Sequence, residues 1–130
     1  MPRFAHPDVL DNGLAFIRTT CNRQALISSY AVNDAYATVF GRILADVAMA
    51  PANFTIGSSG NDRTLTTQAG LQDTAANATG GGVTNHIAFL DTVGSRVLWV
   101  TEETSGQVVT INNPVTFPSL VYTSRQPVAP

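Results

Sequence analysis

Residues His86-Ile87-Ala88-Phe89-Leu90-Asp91-Thr92-Val93-Gly94-Ser95-Arg96-Val97-Leu98-Trp99-Val100-Thr101 decide the fold class. Two nearly continuous apolar runs, 87–90 and 97–100, flank a short turn-rich segment. That arrangement predicts a β-hairpin whose strands are buried on both faces, and it places the centre of the core here.

On either side of the hairpin, Val47–Met49, Phe54–Ile56, Arg63–Thr67, Val108–Ile111 and Leu120–Thr123 read as further short strands. They are separated by Gly57-Ser58-Ser59-Gly60-Asn61-Asp62, Gly80-Gly81-Gly82, Val93-Gly94-Ser95, Ser105-Gly106 and Asn112-Asn113-Pro114, residues that tolerate tight bends. Strands at roughly ten-residue spacing indicate an antiparallel sandwich or barrel. Gly70–Gly82 has no clear period and reads as a loop, a weak strand or a bulge-rich edge. Towards the N-terminus, Pro7 and Asp8 suit a first helical turn, and Val9, Leu10, Leu14 and Ile17 recur at helical spacing to about Thr20, with Gly13 as a weak point. Ala25–Ser29 is a candidate strand. Asn33 is positioned to cap a second helix with Tyr36, Val39, Phe40, Ile43 and Leu44 on its apolar face. The expected fold is therefore mainly β, of the α+β kind, with one or two N-terminal helices.

A chain of 130 residues fits one domain. The expected layout is a helical segment 1–45 packed on a β domain 46–124, with a tail 125–130 whose prolines keep it from a central ladder. The packing candidates, for core or interface, are Phe40, Leu44, Ile87, Phe89, Leu98, Trp99 and Phe117. No internal repeat, collagen or heptad period is present, so the chain is not by itself a fibre shaft.

Charged residues are 12% of the chain, about half the usual ~25%, and the surface is left largely to Thr, Ser, Asn and Gln. Such a surface suits contacts desolvated on assembly, because charge is depleted from interface cores. All seven basic residues are Arg; they are scattered and the net charge is −2, so no basic stripe is available for direct nucleic-acid binding. The start lacks a secretory pattern and no ~20-residue apolar run occurs, which predicts a soluble protein made in the cytoplasm, with no membrane partner.

Residues capable of chemistry have structural readings. Cys21 is the single cysteine, which excludes an intrachain disulfide, and it reads as a small buried hydrophobe. A catalytic base would have to be His6 or His86; the first reads as a helix-entry residue and the second as a strand end. Glu102 and Glu103 are adjacent, so on a strand they point to opposite faces and do not form a carboxylate pair. Asp8, Asp11 and Asn12, or Asn61 and Asp62, lack a calcium-loop pattern and read as capping and turn residues. Gly80-Gly81-Gly82 lacks the Lys-Ser/Thr of a phosphate loop and reads as a flexible turn. The aromatic residues Phe4, Phe16, Tyr30, Tyr36, Phe40, Phe54, Phe89, Trp99, Phe117 and Tyr122 are spread out as packing residues, not as a base-stacking platform. No catalytic, cofactor-binding or metal residue is assigned.

The succession Gly82-Val83-Thr84-Asn85-His86-Ile87-Ala88-Phe89-Leu90-Asp91, Arg96-Val97-Leu98-Trp99-Val100-Thr101, Gly106-Gln107-Val108-Val109 and Asn113-Pro114-Val115-Thr116-Phe117-Pro118 resembles a recurring ending of small virion proteins of tailed bacteriophages. Asn85 inside the usual Thr-His pair and Asn112-Asn113-Pro114 at a turn are departures from that pattern. The Asp46–Ile56 stretch is similar more loosely. The resemblance implies a non-enzymatic structural protein of the virion that needs no cofactor. The first expectation is a capsid decoration, or cement, protein, a homo-oligomer with a trimer favoured, bridging coat subunits. A tail, baseplate or fibre-attachment subunit is the alternative within the particle. A carbohydrate-binding module for host attachment is the rival from another class, against which Trp99, the single Trp, reads as internal; an enzyme is least favoured.

Overall fold

The computed structural model describes residues 5–103 and 106–127. Arg3, Phe4, Ser105 and the tail residues Val128-Ala129-Pro130 therefore lie outside the described part. The protein is mainly β, with antiparallel sheets and two α-helices, and among the described residues no sheet closes into a barrel. The described residues divide into two compact units, each assembled from separated stretches: 5–20, 50–70 and 118–127 form one, and 21–49, 71–103 and 106–117 the other.

The larger unit is built on the expected hairpin. Strand β7 (His86–Asp91) pairs with β8 (Arg96–Glu102), and β1 (Arg23–Ile27) and β2 (Ile43–Ala48) extend the antiparallel sheet in the order β2-β1-β7-β8. Asp91 makes the hairpin turn by accepting the N–H groups of Val93 and Gly94, at 3.1 and 3.0 Å, with Ser95 in the left-handed region at φ 55°. One sheet face carries Ala25, Ile27, Ala88 and Leu90, closed over by Val39 of the short helix α2 (Tyr36–Phe40), with Tyr30, Tyr36, Ile43, Val97 and Val100 packed around them. Strand alternation puts Gln24, Leu26, Ile87 and Phe89 on the opposite face, where Phe89 stacks on Trp99 with ring centroids 4.4 Å apart. The β2 edge is blunted. Leu44 O accepts the Asn77 and Ala78 N–H groups, and the Asp73 carboxylate accepts that of Asp46. Two small ribbons complete the unit: β5 (Leu71–Asp73) with β10 (Val115–Phe117), and β6 (Gly80–Gly81) with β9 (Val108–Val109).

Gln24 is fully buried on the central strand β1, and neither atom of its amide has a hydrogen-bond partner among the described residues. A buried amide without partners costs about 1–3 kcal/mol relative to an apolar group of the same shape. Gln24→Met, nearly isosteric, is therefore expected to stabilise the fold by about 1 kcal/mol, read as a higher urea midpoint at unchanged slope. A lowered midpoint would mean that the amide is satisfied in solution.

In the smaller unit, β3 (Phe54–Ser59), β4 (Asp62–Thr67) and β11 (Val121–Ser124) form a sheet in the order β11-β4-β3, entered through the 3-10 turn Pro51–Asn53. Helix α1 (Pro7–Thr20) packs on it through Leu10, Leu14 and Ile17, and Gly13 faces open space, which is why glycine is tolerated mid-helix. The Arg63 guanidinium of β4 grips both oxygens of Asp11 on α1, at 2.8 and 3.2 Å.

Several expectations are corrected. The helical spacing read through Ile43 and Leu44 fails: α2 stops at Phe40 and the next residues enter β2. The run 43–48 suits helix and strand alike, and pairing with the central strand β1 decides it. Leu44 is buried as expected but on a strand, whereas Phe40 is 47% exposed and leans on Tyr36 instead of the core. Asn33 does not cap the helix; it sits in a turn at φ 69°, and Asp34 accepts the Ala31 N–H. Residues 1–45 are not a helical segment, because β1 and the start of β2 fall within them. Strand β8 is half-buried, not buried on both faces, since it is the edge of its sheet, and Leu98 falls at a bulge where the register shifts.

Candidate docking surface

The Gly-rich stretch is not a flexible turn. Gly80 and Gly81 pair with Val109 and Val108. Gly81 has φ 84°, and a Cβ there would lie 2.3 Å from Asn85 Oδ1 and 2.8 Å from Leu44 Cδ1, so only glycine brings the ribbon this close. The staple beneath is Asn85, fully buried with its amide satisfied. Its Oδ1 accepts the Gly82 N–H at 2.9 Å, and its Nδ2 donates to Gln107 O at 2.8 Å. Its main chain donates to Gly82 O and accepts from Glu103 N. The Glu103 carboxylate in turn accepts the Gly106 N–H at 3.0 Å. One buried side chain thus ties Gly82 to Gln107, and its main chain ties both Gly82 and Glu103.

In this region apolar side chains point outward. Val83 is 92% exposed and lies against Gly106, and Val108 on β9 is 67% exposed. Ile111, whose N–H donates to Thr79 Oγ1, is half exposed beyond the end of β9. Val83 lies past the Gly81–Val108 end of the ribbon and Ile111 past the Gly80–Val109 end, with Val108 between them; single exposed apolar residues are ordinary, but Val83, nearly fully exposed on a fixed loop, is suited to a protein contact. Sequence reading passed over Asn85 as a departure from a pattern. The signal was present in a polar residue placed between a triple Gly and a buried strand.

Several charged groups are tied into the fold. Arg23 pairs with Asp46 and Arg42 with Asp34, both at 2.7 Å, and Arg96 with Asp91 at 2.8 Å. Two hydrogen bonds to backbone N–H groups, that of Gly94 foremost, together with Arg96 hold the Asp91 carboxyl below the usual carboxylate range. The Ala31 N–H and Arg42 do the same for Asp34. Because the folded-state value of Asp91 is depressed, its contribution is complete above the unfolded value of about 3.9 and is lost as pH falls through the folded value. Stability measured from pH 5 downward is therefore expected to fall less steeply in Asp91→Asn than in the parent; parallel curves would remove Asp91 from the acid response.

The other residues singled out from sequence are placed as follows. His86 has its ring Nδ1 2.7 Å from Thr84 O and lies opposite Glu102 in the β7–β8 register, while Glu102 ends the strand exposed and Glu103 is used in the loop. His6 accepts the Asp8 N–H at the start of α1. Asp62 accepts the Gln126 N–H, and Asn61 O accepts from the Gln126 amide. Cys21 is buried, which pushes its thiol up to about 11 and leaves it unreactive at neutral pH. Ile87, Phe89 and Phe117 are buried; Leu98 and Trp99 are half-buried. Among the described residues no group of three or more His, Cys, Asp or Glu is placed to hold a metal ion, and no helix is long and apolar enough to cross a membrane. The chain matches no protein-family model, no curated protein and no solved structure.

Proposed function

We propose that the protein is a non-catalytic structural subunit of a tailed-phage particle, a decoration protein that bridges neighbouring coat subunits on the capsid. The observation that carries this reading is Val83, 92% exposed on a loop that Asn85 fixes from below. An apolar side chain held outward on rigid backbone docks with little ordering cost. Low charge works in the same direction, since the arginines paired with Asp46, Asp34, Asp91 and Asp11 serve the fold. Repetition over a shell makes even weak contacts of roughly 800 Å² per partner sufficient. The sugar-platform alternative is disfavoured because Trp99 gives one ring face to Phe89.

The test is quantitative mass spectrometry and gold labelling of purified particles from the source lysate. Hundreds of copies over the heads support the proposal, a few to dozens confined to tails move the subunit to the tail or baseplate, and particles without the protein overturn it. In a reconstitution on stripped heads, Val83→Glu is expected to fold normally and lose at least tenfold in occupancy. Unchanged occupancy would remove this surface from the contact.

A further inference from the structure

The sheet β2-β1-β7-β8 ends differently at its two sides. At β2 the outer main chain is taken up by Asn77, Ala78 and Asp73. At β8, seven residues long, β7 is the one partner strand among the described residues. The middle of β8, Val97-Leu98-Trp99-Val100-Thr101, is half-buried and apolar up to Thr101. It contains neither Pro nor Lys, the residues that commonly keep an edge from pairing. A bulge at Leu98 interrupts its pairing with β7, but from Trp99 to Glu102 the register is regular. Such an edge is a template for one more strand.

The two ends of β8 and the surface beside it indicate which strand that is. Arg96 opens β8 with its side chain bonded to Asp91 yet 51% exposed, and Glu102 closes it in an exposed position. Antiparallel pairing of β8 with its own copy brings each Arg96 end to the other chain's Glu102 end, whereas parallel pairing sets like charges side by side. The strand is therefore complementary to itself about a two-fold axis. Helix α2 lies against β8, with Tyr36, Val97 and Val100 packed on one core cluster. Val39 of α2 turns inward, while Phe40 rests on Tyr36, ring centroids 5.6 Å apart, and stays 47% exposed. An exposed aromatic ring beside an apolar edge adds side-chain area to a contact that the main chain begins.

We propose that β8 pairs antiparallel with β8 of a second copy, joining two four-stranded sheets across a two-fold axis, with Phe40 of α2 in the contact. Such a dimer does not depend on the capsid reading.

The test follows the purified protein by sedimentation velocity from micromolar to millimolar concentration, with hydrogen exchange measured by mass spectrometry at both ends of the range. A monomer–dimer equilibrium is expected, with exchange in the 96–102 peptide slowed at the high end. Phe40→Glu is expected to weaken association about tenfold. Glu102→Arg, which sets like charges at both ends of the paired strands, is expected to weaken it several-fold, and by less at high salt. A monomer throughout would overturn the proposal, and so would a dimer whose 96–102 amides exchange as in the monomer or that neither variant weakens. Protection of 96–102 that appears only when stripped heads are added would overturn it too, because the edge would then belong to a coat strand.

Discussion

Truncating Phe89 to alanine is expected to cost about 3–5 kcal/mol of folding stability, the range for removing a fully buried aromatic ring and leaving a cavity. Phe89 occupies β7, which has a partner strand on each side, so the surrounding backbone is held by two ladders and has little freedom to collapse into the space. It also removes the ring on which Trp99 stacks. Domains of this size are stable by about 5–15 kcal/mol, so the loss takes a large share and shifts the urea midpoint strongly. Trp99 is the only tryptophan, and its fluorescence reports both the unfolding and the altered stack. Trp99→Ala, on the half-buried edge strand, is expected to cost clearly less. Equal losses would place the centre of the core elsewhere than at β7.

The second large effect is expected at Gly81. Alanine there meets two penalties that can be separated. The left-handed backbone at φ 84° costs a β-carbon about 1–2 kcal/mol, and the clash with Asn85 Oδ1 and Leu44 forces the staple to shift. Together these amount to about 2–4 kcal/mol, because a displaced Asn85 leaves a buried amide with broken hydrogen bonds. Gly60 is the control: its φ is 60° but no atom lies within 4 Å of its missing β-carbon, so Gly60→Ala carries the backbone penalty alone. Hydrogen exchange at the Asn85 and Glu103 amides should rise in Gly81→Ala and stay as in the parent in Gly60→Ala. Equal behaviour of the two variants would mean that the ribbon is not packed on the staple. The same variant also tests the docking surface, since Val83 depends on this loop for its position.

Residues 87–90 and 97–100 were sufficient to establish, without any structure, that the protein is mainly β and that β7 lies in its core, because a short unbroken apolar run bounded by turn residues has few other ways to be buried. Helix α1 was equally legible, since Leu10, Leu14 and Ile17 at helical spacing form a face by local geometry alone, although Val9, read with them, is exposed. What failed from sequence depended on partners distant in the chain. Ile43 and Leu44 pass for the end of a helix face, and only the pairing of Ile43–Ala48 with β1 makes them strand. Strands β5, β6 and β10 are two or three residues long and have too little pattern to be read; each exists because a complementary strand meets it. The triple glycine is the clearest case. Composition allows a loose turn as readily as a tight ribbon, and the difference is made by Leu44 and Asn85 packing where a β-carbon would be. The identity of residues sets which local conformations are cheap, while long-range contacts choose among those of similar cost; the docking surface belongs to the second class.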